Sequence, residues 1–185
     1  MKIGTDSGVA EVRYLLEEKS AEIKFESPAV WASANAGGSG FFRARYSAEM
    51  LTALSGSMFE NLTPIERYGL VDDTWSSMMA GRTSATDFLD FAGSFQNETD
   101  LDVWTVLSGC LVGLNKLVEG EAELQYKAVI RDLAQPALDR LGWEPSDSDT
   151  SRGLELRGLF IRLLANVGDD ELAIKNASDL HDSYL

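Results

Sequence analysis

One histidine and one cysteine are the strongest nucleophile or metal-ligand candidates in this sequence of 185 residues. His181 stands beside Asp182 near the end of the sequence, so we expect it to be an exposed terminal residue. A zinc peptidase helix needs the pattern H-E-x-x-H, because two imidazoles one turn apart must face the same metal, and a single histidine cannot form it. Cys110 lies in an aliphatic pattern with no neighbour that would stabilise a thiolate. We therefore interpret Cys110 as a small core residue rather than a nucleophile.

Carboxylates and glycines give two further candidate sites, and both favour structural roles. Asp72 and Asp73 are adjacent on a predicted helix, where side chains point about 100 degrees apart, so we predict that they cannot share one acid/base site with Glu66. One of the three is expected to pair with an arginine. The segment GGSG, residues 37–40, precedes a predicted strand, whereas phosphate-binding loops precede a helix, so we predict a hairpin turn. No catalytic, metal-binding or cofactor-binding residue is predicted, and substrate-binding residues stay unknown.

The charge balance excludes one class of partner. Sixteen Lys and Arg against 30 Asp and Glu give a formal net charge of -14, which repels phosphate backbones unless a basic patch is set apart. The nearest approach to such a patch is Arg43 with Arg45, which we interpret as a solvated strand edge. Nucleic acid is therefore not an expected partner.

Cysteine content and hydropathy suggest a location. A single cysteine excludes an internal disulfide and favours a reducing compartment. The sequence contains no signal-peptide pattern and no apolar run of roughly 18 residues, so neither export nor a membrane partner is expected. These observations favour a cytoplasmic protein.

The first quarter of the chain has strand patterns. Alternating apolar and charged residues predict a hairpin from residues 9–16 and 21–25, then strands at residues 30–34 and 41–46, while residues 1–8 are expected to be frayed. In the last strand Phe42, Ala44 and Tyr46 would share one face and the two arginines the other. Four short strands leave an incomplete sheet, and the alternating strand needs an apolar partner.

The rest of the chain has helix patterns. Ser47 is a predicted N-cap, and the sequence TPIE at residues 63–66 combines an N-cap, a first-turn proline and a capping box. Seven helices are predicted, at residues 47–54, 63–80, 84–97, 99–117, 121–141, 152–165 and 169–181. Pro136 should kink the fifth, and the polar residues 144–151 form a loop. The fold class is mainly α, with stacked helix pairs forming an α-solenoid layer. Residues 1–46 form the strand segment and residues 47–185 the helical one.

Apolar stripes at helical spacing predict which faces are buried. In the second helix the stripe comprises Ile65, Tyr68, Val71, Trp75, Met78 and Met79. In the fourth it comprises Leu101, Trp104, Leu107, Leu111 and Leu114, widened by Val103, Val106, Cys110 and Leu117. The four tryptophans are interpreted as core residues rather than ligand platforms.

Six stretches of the sequence are similar, in order, to motifs of one enzyme family. Residues 35–46 resemble the N-x-x-x-G-[FY]-[FY]-R-V-x-Y stretch that opens the C-terminal helical domain of the aminopeptidase N family of zinc aminopeptidases, with Ala44 where valine is usual. Residues 62–75 resemble its L-x-x-x-[DE]-R-x-x-L-[IV]-x-D-[AT]-[FW]. Residues 98–104 resemble E-x-[DE] followed by tryptophan. The remaining matches are LGW at residues 141–143, Leu156 with Arg157, and Gly168 with Asp169 and Ala177.

The resemblance implies a part of a hydrolase without its active site. In the family the zinc helix H-E-x-x-H and the motif G-x-M-x-N belong to an upstream catalytic domain, and neither is present here. Zinc is then expected in that domain and not in this chain. The helical domain caps the catalytic domain as a bowl and restricts access of peptides. Arg67 and Asp73 match the family pattern and are expected to anchor their helix rather than contact peptide.

The family pattern also predicts partners. Residues 1–46 would be the end of a β-sandwich domain, with residues 35–46 as a hinge and Phe42 and Tyr46 seated against the first helices. The expected partners are the catalytic and β-sandwich domains of the parent enzyme and its peptide substrates. We expect Leu185 to mark a fragment boundary, so that the last helix exposes an apolar face and invites self-association. The alternative is a free-standing acidic helical scaffold that binds a protein partner.

Overall fold

A computed structural model describes residues 1–184, which fall into two compact units, the first formed by Met1–Phe91 and the second beginning at Ala92. The fold is mainly helical with one small antiparallel sheet, as predicted. Leu185, the expected fragment boundary, lies outside the described residues. Within residues 1–184, no helix combines the length and the apolar character needed to cross a bilayer.

The sheet of the first unit has three strands, β1 (Lys2–Thr5), β2 (Gly8–Glu11) and β3 (Ala29–Ser33), in the order β2-β1-β3. The prediction that residues 1–8 are frayed is wrong, because β1 pairs on both sides, with Ile3 opposite Ala10 in one register and Ala32 in the other. Ile3 and Trp31 are buried. A Cβ on Gly4 would lie 2.2 Å from the Trp31 ring, so the glycine allows that ring to cross the strand.

Two predicted strands do not form. Residues 21–25 pair with nothing in the sheet, and residues 41–46 run without ladder hydrogen bonds. A glycine turn does form before residues 41–46, since Ala36–Gly38 makes one 3₁₀ turn in which Gly37 and Gly38 have φ values of 68° and 65°, but the predicted hairpin is wrong because no strand follows the turn. Alternation in residues 41–46 is partly kept, because Arg43 and Arg45 are exposed and Ala44 and Tyr46 are half-buried. Side-chain hydrogen bonds from Asn35 and Tyr46 hold the segment in place of the missing ladder.

The helices of the first unit begin where their capping residues predict. Ser47 accepts a hydrogen bond from the Met50 amide at the start of α1 (Ala48–Ser55), and Thr63 and Glu66 form a capping box at the start of α3 (Pro64–Met79). The four-residue α2 (Met58–Asn61) was not predicted, because one helical turn carries too little periodicity to be read from sequence. The helix α4 (Ala85–Gly93) follows.

The face of α3 that is buried is not the predicted apolar one. Ile65, Tyr68 and Met79 are exposed, and only Val71 of the predicted stripe is fully buried. The buried face instead carries Leu70 and Val71 together with five polar residues, Glu66, Arg67, Asp73, Thr74 and Ser77. The prediction failed because those polar groups are satisfied by specific partners, so burying them costs far less than their hydropathy suggests.

The second unit contains α5 (Leu101–Asn115), α6 (Glu121–Leu141), α7 (Ser151–Asn166) and α8 (Glu171–Tyr184). Asp100 caps α5, and α6 continues through Pro136 to the predicted C-cap, Gly142, whose φ is 74°. The loop after α6 is confirmed. With α1 to α4, eight α-helices are formed in the described part of the chain, one more than the sequence predicted.

The core of the second unit is apolar and follows the predicted stripe of α5. Leu101, Trp104, Leu107, Leu111 and Leu114 are all buried, and so is Cys110. The Trp104 and Phe160 rings meet edge to face with centroids 4.7 Å apart. The prediction of four core tryptophans holds for Trp31 and Trp104, whereas Trp75 and Trp143 are half-buried. Leu117, predicted to widen the stripe, is exposed.

Candidate functional site

Glu66 is the centre of a buried polar network that joins three parts of the first unit. Its Oε2 accepts hydrogen bonds from the Lys2 ammonium at 2.7 Å and from the amide of Thr63 at 2.7 Å, and its Oε1 accepts one from the Gly37 amide at 2.8 Å. Lys2 also donates to the carbonyl of Asn61, at 3.2 Å. One carboxylate therefore ties β1, the 3₁₀ turn and the start of α3 together.

The environment of Glu66 favours its ionised form. Burial by itself would raise the pKa of the carboxyl, but the hydrogen bonds from Lys2, Gly37 and Thr63 outweigh burial and lower the pKa from 4.5 to about 2. Glu66 is therefore ionised at all physiological pH values. An anion held so firmly by donors is suited to structure and not to proton transfer.

Asn35 and Tyr46 fix the two ends of the segment that resembles the family's opening motif. The Asn35 side chain donates to the carbonyl of Gly40 at 3.0 Å and accepts from its amide at 2.7 Å, which closes a loop. The Tyr46 hydroxyl accepts a hydrogen bond from the Ala34 amide at 3.0 Å. Residues 35–46 are thus a side-chain-clamped loop and not a strand.

Arg43 holds this loop to α3 through two acids. The guanidinium pairs closely with Asp72 and lies 3.6 Å from an Asp73 oxygen. The prediction that one of the acids pairs with an arginine is confirmed, while the prediction that Asp72 and Asp73 form no acid/base site with Glu66 stays a prediction. A long arginine side chain reaches both carboxylates even though they diverge on the helix. Burial raises the pKa of Asp73, and the hydrogen bond from the Ala44 amide and the charge of Arg43 offset that rise only in part.

Arg67 and Asp73 have the anchoring roles expected of them. Arg67 is buried, donates to the carbonyl of Leu62 at 2.7 Å, and lies over the Phe59 ring at 5.4 Å from its centroid. Asp73 is buried and accepts from Arg43 and from the Ala44 backbone. Both side chains therefore secure α3 to its neighbours within the first unit.

The polar network leaves an apolar surface facing outward. Phe41 is fully exposed, and Phe42, Ile65 and Tyr68 are between about one-third and just over one-half exposed. We call these four residues the α3 apolar surface. They line a cleft of about 510 Å³ between the clamped loop and α3. Phe42 and Tyr46 were both predicted to be seated against the first helices. The prediction is wrong for Phe42, because its side chain is exposed, whereas Tyr46 is half-buried.

Family-matching residues in the second unit are also structural. The Trp104 indole donates to the carbonyl of Glu98 at 2.9 Å, and the Glu98 carboxylate accepts from the amides of Thr99 and Asp100, both at 2.8 Å. Arg157 is buried and donates to the carbonyls of Leu141 and Gly142.

Arg157 also contacts the loop between α6 and α7. Its guanidinium also pairs with Asp149 at 2.8 Å, and the amide of Ser146 and this guanidinium lower the pKa of Asp149. No hydrogen-bond acceptor within the described residues reaches the remaining terminal nitrogen of Arg157. The Leu-Gly-Trp motif therefore supplies the acceptor carbonyls and the Leu-Arg motif the donating guanidinium, so the two motifs contact each other.

The predicted candidates for chemistry lie apart. His181 is exposed on α8 and Cys110 is buried in the core around α5, as expected for a terminal residue and a core residue. Among residues 1–184 no group of three or more His, Cys, Asp or Glu side chains is placed to hold a metal ion. The sequence reasoning missed the lysine that pairs with Glu66, because nothing in the pattern of residues 1–8 indicated a strand.

These observations define a class of protein. It is a mainly helical protein with a small antiparallel sheet at its N-terminal end, and its motif residues hold a loop against the third helix, α3. A sequence model of the ERAP1-like C-terminal domain matches residues 31–185. The chain belongs to this family.

Relatives agree with the family assignment. The chain is 29% identical over 175 residues to the puromycin-sensitive aminopeptidase of Caenorhabditis elegans, with 90% of this chain and 18% of the relative covered. It is 28% identical over 188 residues to aminopeptidase M1 of Arabidopsis thaliana, covering 97% of this chain and 21% of that protein. Aminopeptidase 2 of Candida albicans is 29% identical over 171 residues, with 90% and 18% covered. The chain thus spans about a fifth of the length of the curated relatives it matches.

Proposed function

We propose that this chain is the first part of the helical C-terminal domain of a zinc-dependent aminopeptidase, where it caps the catalytic domain and shapes the chamber that peptides enter. It does not catalyse hydrolysis by itself. The family membership and the names of the relatives support the parent activity. The relatives give the alternative of a free-standing scaffold no support.

The α3 apolar surface is the observation that carries this proposal. Helix α3 buries five polar side chains and exposes Ile65 and Tyr68, the reverse of what an isolated helical layer would adopt. Clustered exposed aromatic and aliphatic side chains mark a surface that another domain covers. In the proposed parent, that domain is the catalytic or the β-sandwich domain.

The second unit supports an extended helical layer. Helix α8 exposes Leu172 and Ile174 while burying Ala173. In our proposal further helices of an α-solenoid cover these side chains, which would otherwise favour self-association. Zinc would be held by the catalytic domain, the substrates would be peptides, and the location would be cytoplasmic.

Two assays test the proposal. The purified chain, supplied with zinc, is expected to release nothing from fluorogenic aminoacyl substrates, and chelator-sensitive turnover would overturn the claim that it has no active site. The remainder of its open reading frame is expected to encode H-E-x-x-H. Adding the chain to that remainder should restore activity and selectivity for peptide length. If the remainder were equally active and selective without the chain, the capping role would be wrong.

A further inference from the structure

A groove in the second unit, on a different element from the α3 apolar surface, has an unusual charge. It runs between α5 and α7 and has a volume of about 420 Å³. Its floor is made by buried Leu159, Leu163 and Val167 and by Val112, which is 42% exposed. The only ionisable side chains among its lining residues are those of Lys116 and Arg162.

The two cations are free to bind a partner. Lys116 and Arg162 are exposed, and neither forms an ion pair with any residue from 1 to 184. Most other arginines and lysines of the second unit are already engaged, as Lys127 is with Glu123 and Asp169. In a chain of net charge -14, a groove with two unpaired cations and no acid is a local exception.

The shape of the groove suits a helix. Arg152 pairs with Asp102 near the starts of α7 and α5, and both C-terminal ends line the groove, so the two helices run in the same direction. The wall from Thr105 to Lys116 is about three helical turns, or roughly 16 Å, long. Gly109 is exposed in the middle of this wall, and a Cβ added to it would have no atom within 4 Å. A small residue there lets a third helix approach closely.

We propose that this groove binds an acidic amphipathic helix of a protein partner. Apolar side chains of the partner would pack on Val112 and Leu159, and its carboxylates would pair with Lys116 and Arg162. The chain's net charge repels an acidic partner at long range, but screening over about 8 Å at physiological salt leaves the local cations to decide. The proposal does not depend on the capping role and would hold if that role were wrong.

Binding can be measured by fluorescence anisotropy with two labelled helical peptides of about 14 residues. Both carry leucines at i, i+3, i+4 and i+7, and the flanking positions are all Glu in one peptide and all Lys in the other. The full chain is expected to bind the Glu peptide at least about tenfold more tightly, with the preference shrinking as salt rises. Equal affinity for both peptides, or a preference for the Lys peptide, would overturn the proposal.

Variants locate the binding site. The double change Lys116→Glu and Arg162→Glu should weaken binding of the Glu peptide on the order of tenfold or more. The matched control, Lys19→Glu with Lys24→Glu, alters the net charge equally in the first unit and should leave affinity nearly unchanged. Equal losses in the two double variants would show a net-charge effect and would contradict the groove assignment.

A third variant tests the groove by shape. Gly109→Leu places a side chain into the groove from an exposed helical position and should abolish binding of the Glu peptide. Circular dichroism and a melting curve check its fold, and if it misfolds, the charge-reversal pair decides the question. Light scattering on the full chain gives the remaining outcome. If the full chain forms dimers and the Lys116→Glu and Arg162→Glu changes dissociate them, a second copy of the chain occupies the groove. That result would overturn the proposal.

Discussion

Helices α3 and α5 are similar in length and lie in different units, yet they are held in opposite ways. Helix α5 buries an unbroken apolar stripe, and the Trp104 ring of that stripe packs edge to face on Phe160. Helix α3 buries Glu66, Arg67 and Asp73, whose hydrogen bonds and ion pairs reach the sheet and the clamped loop, and exposes Ile65 and Tyr68. Burial of apolar area is not directional, whereas a polar network fixes one geometry.

This difference separates a helix that completes its own core from one that presents a surface. The network around Glu66 sets the position of α3 without using its apolar residues, which then remain available to a partner. In α5 the residues of the predicted apolar stripe are buried within the unit, although Val112 beside the stripe is exposed. Loss of stability should therefore follow from apolar truncation in α5 and from charge or hydrogen-bond changes around α3.

The largest effect is expected for Trp104→Ala. The side chain is fully buried, packs on Phe160 and donates to the Glu98 carbonyl, so its loss should reduce the free energy of unfolding by about 3–5 kcal/mol. Urea unfolding followed by circular dichroism measures this. Phe41→Ala, at a fully exposed position, is the control and should change stability little. Equal losses would contradict the contrast between the core and the α3 apolar surface.

A pH-dependent loss is expected for Glu66→Gln. The folded-state pKa of about 2 lies below the unfolded value of 4.5, so the carboxylate stabilises the fold above about pH 4.5 and loses that effect as pH falls towards 2. The difference between the two pKa values corresponds to a stabilisation of the fold on the order of 3 kcal/mol at neutral pH. Unfolding curves of both proteins from pH 7 down to pH 2.5 should therefore converge as the pH falls. A constant difference across that range would show that charge is not what Glu66 contributes.

A smaller loss is expected for Asn35→Ala. Two hydrogen bonds to Gly40 disappear and both backbone groups lose their partner, which should cost about 1–2 kcal/mol. Asn97→Ala, at an exposed position, is the matched control. Faster amide exchange over residues 36–42 should accompany the loss, and unchanged exchange there would show that the side chain does not clamp the loop.

The smallest effect is expected for Arg43→Ala. The guanidinium is more than half exposed, so its pairs with Asp72 and Asp73 are screened by water and salt. The free energy of unfolding should fall by at most about 1 kcal/mol, and the loss should diminish as salt concentration rises. A larger loss that salt does not affect would place this arginine among the buried anchors, with Arg67.

Local signals in the sequence predicted most helices, because caps and periodic stripes are encoded within a few residues. Ser47, Thr63 with Glu66, Asp100 and Gly142 all mark helix ends in the structure. The missed parts depend on distant partners. Strand β1 is stabilised by pairing with β3 and by Lys2 reaching Glu66, and neither contact leaves a pattern in residues 1–8.

The candidate site shows the same limit. The motifs of residues 35–46 and 62–75 indicated which residues matter and that the two segments meet, but not that Arg43 pairs with Asp72 or that the Gly37 amide donates to Glu66. The face of α3 was predicted wrongly because hydropathy assigns Glu66 and Asp73 to solvent when their buried donors are unknown. The boundary between residues 46 and 47 stays a prediction.

Binding between this chain and the polypeptide encoded by the remainder of its reading frame tests the account most directly. Isothermal titration calorimetry would compare the unaltered chain with Ile65→Ser/Tyr68→Ser, and with Leu124→Ser/Leu154→Ser, two exposed leucines on α6 and α7, as the control. We expect the α3 variant to fold normally and to bind at least about tenfold more weakly, corresponding to about 1.4 kcal/mol or more, with the control less affected. An α3 variant that binds as tightly as the unaltered chain would contradict the claim that the α3 apolar surface is the interface.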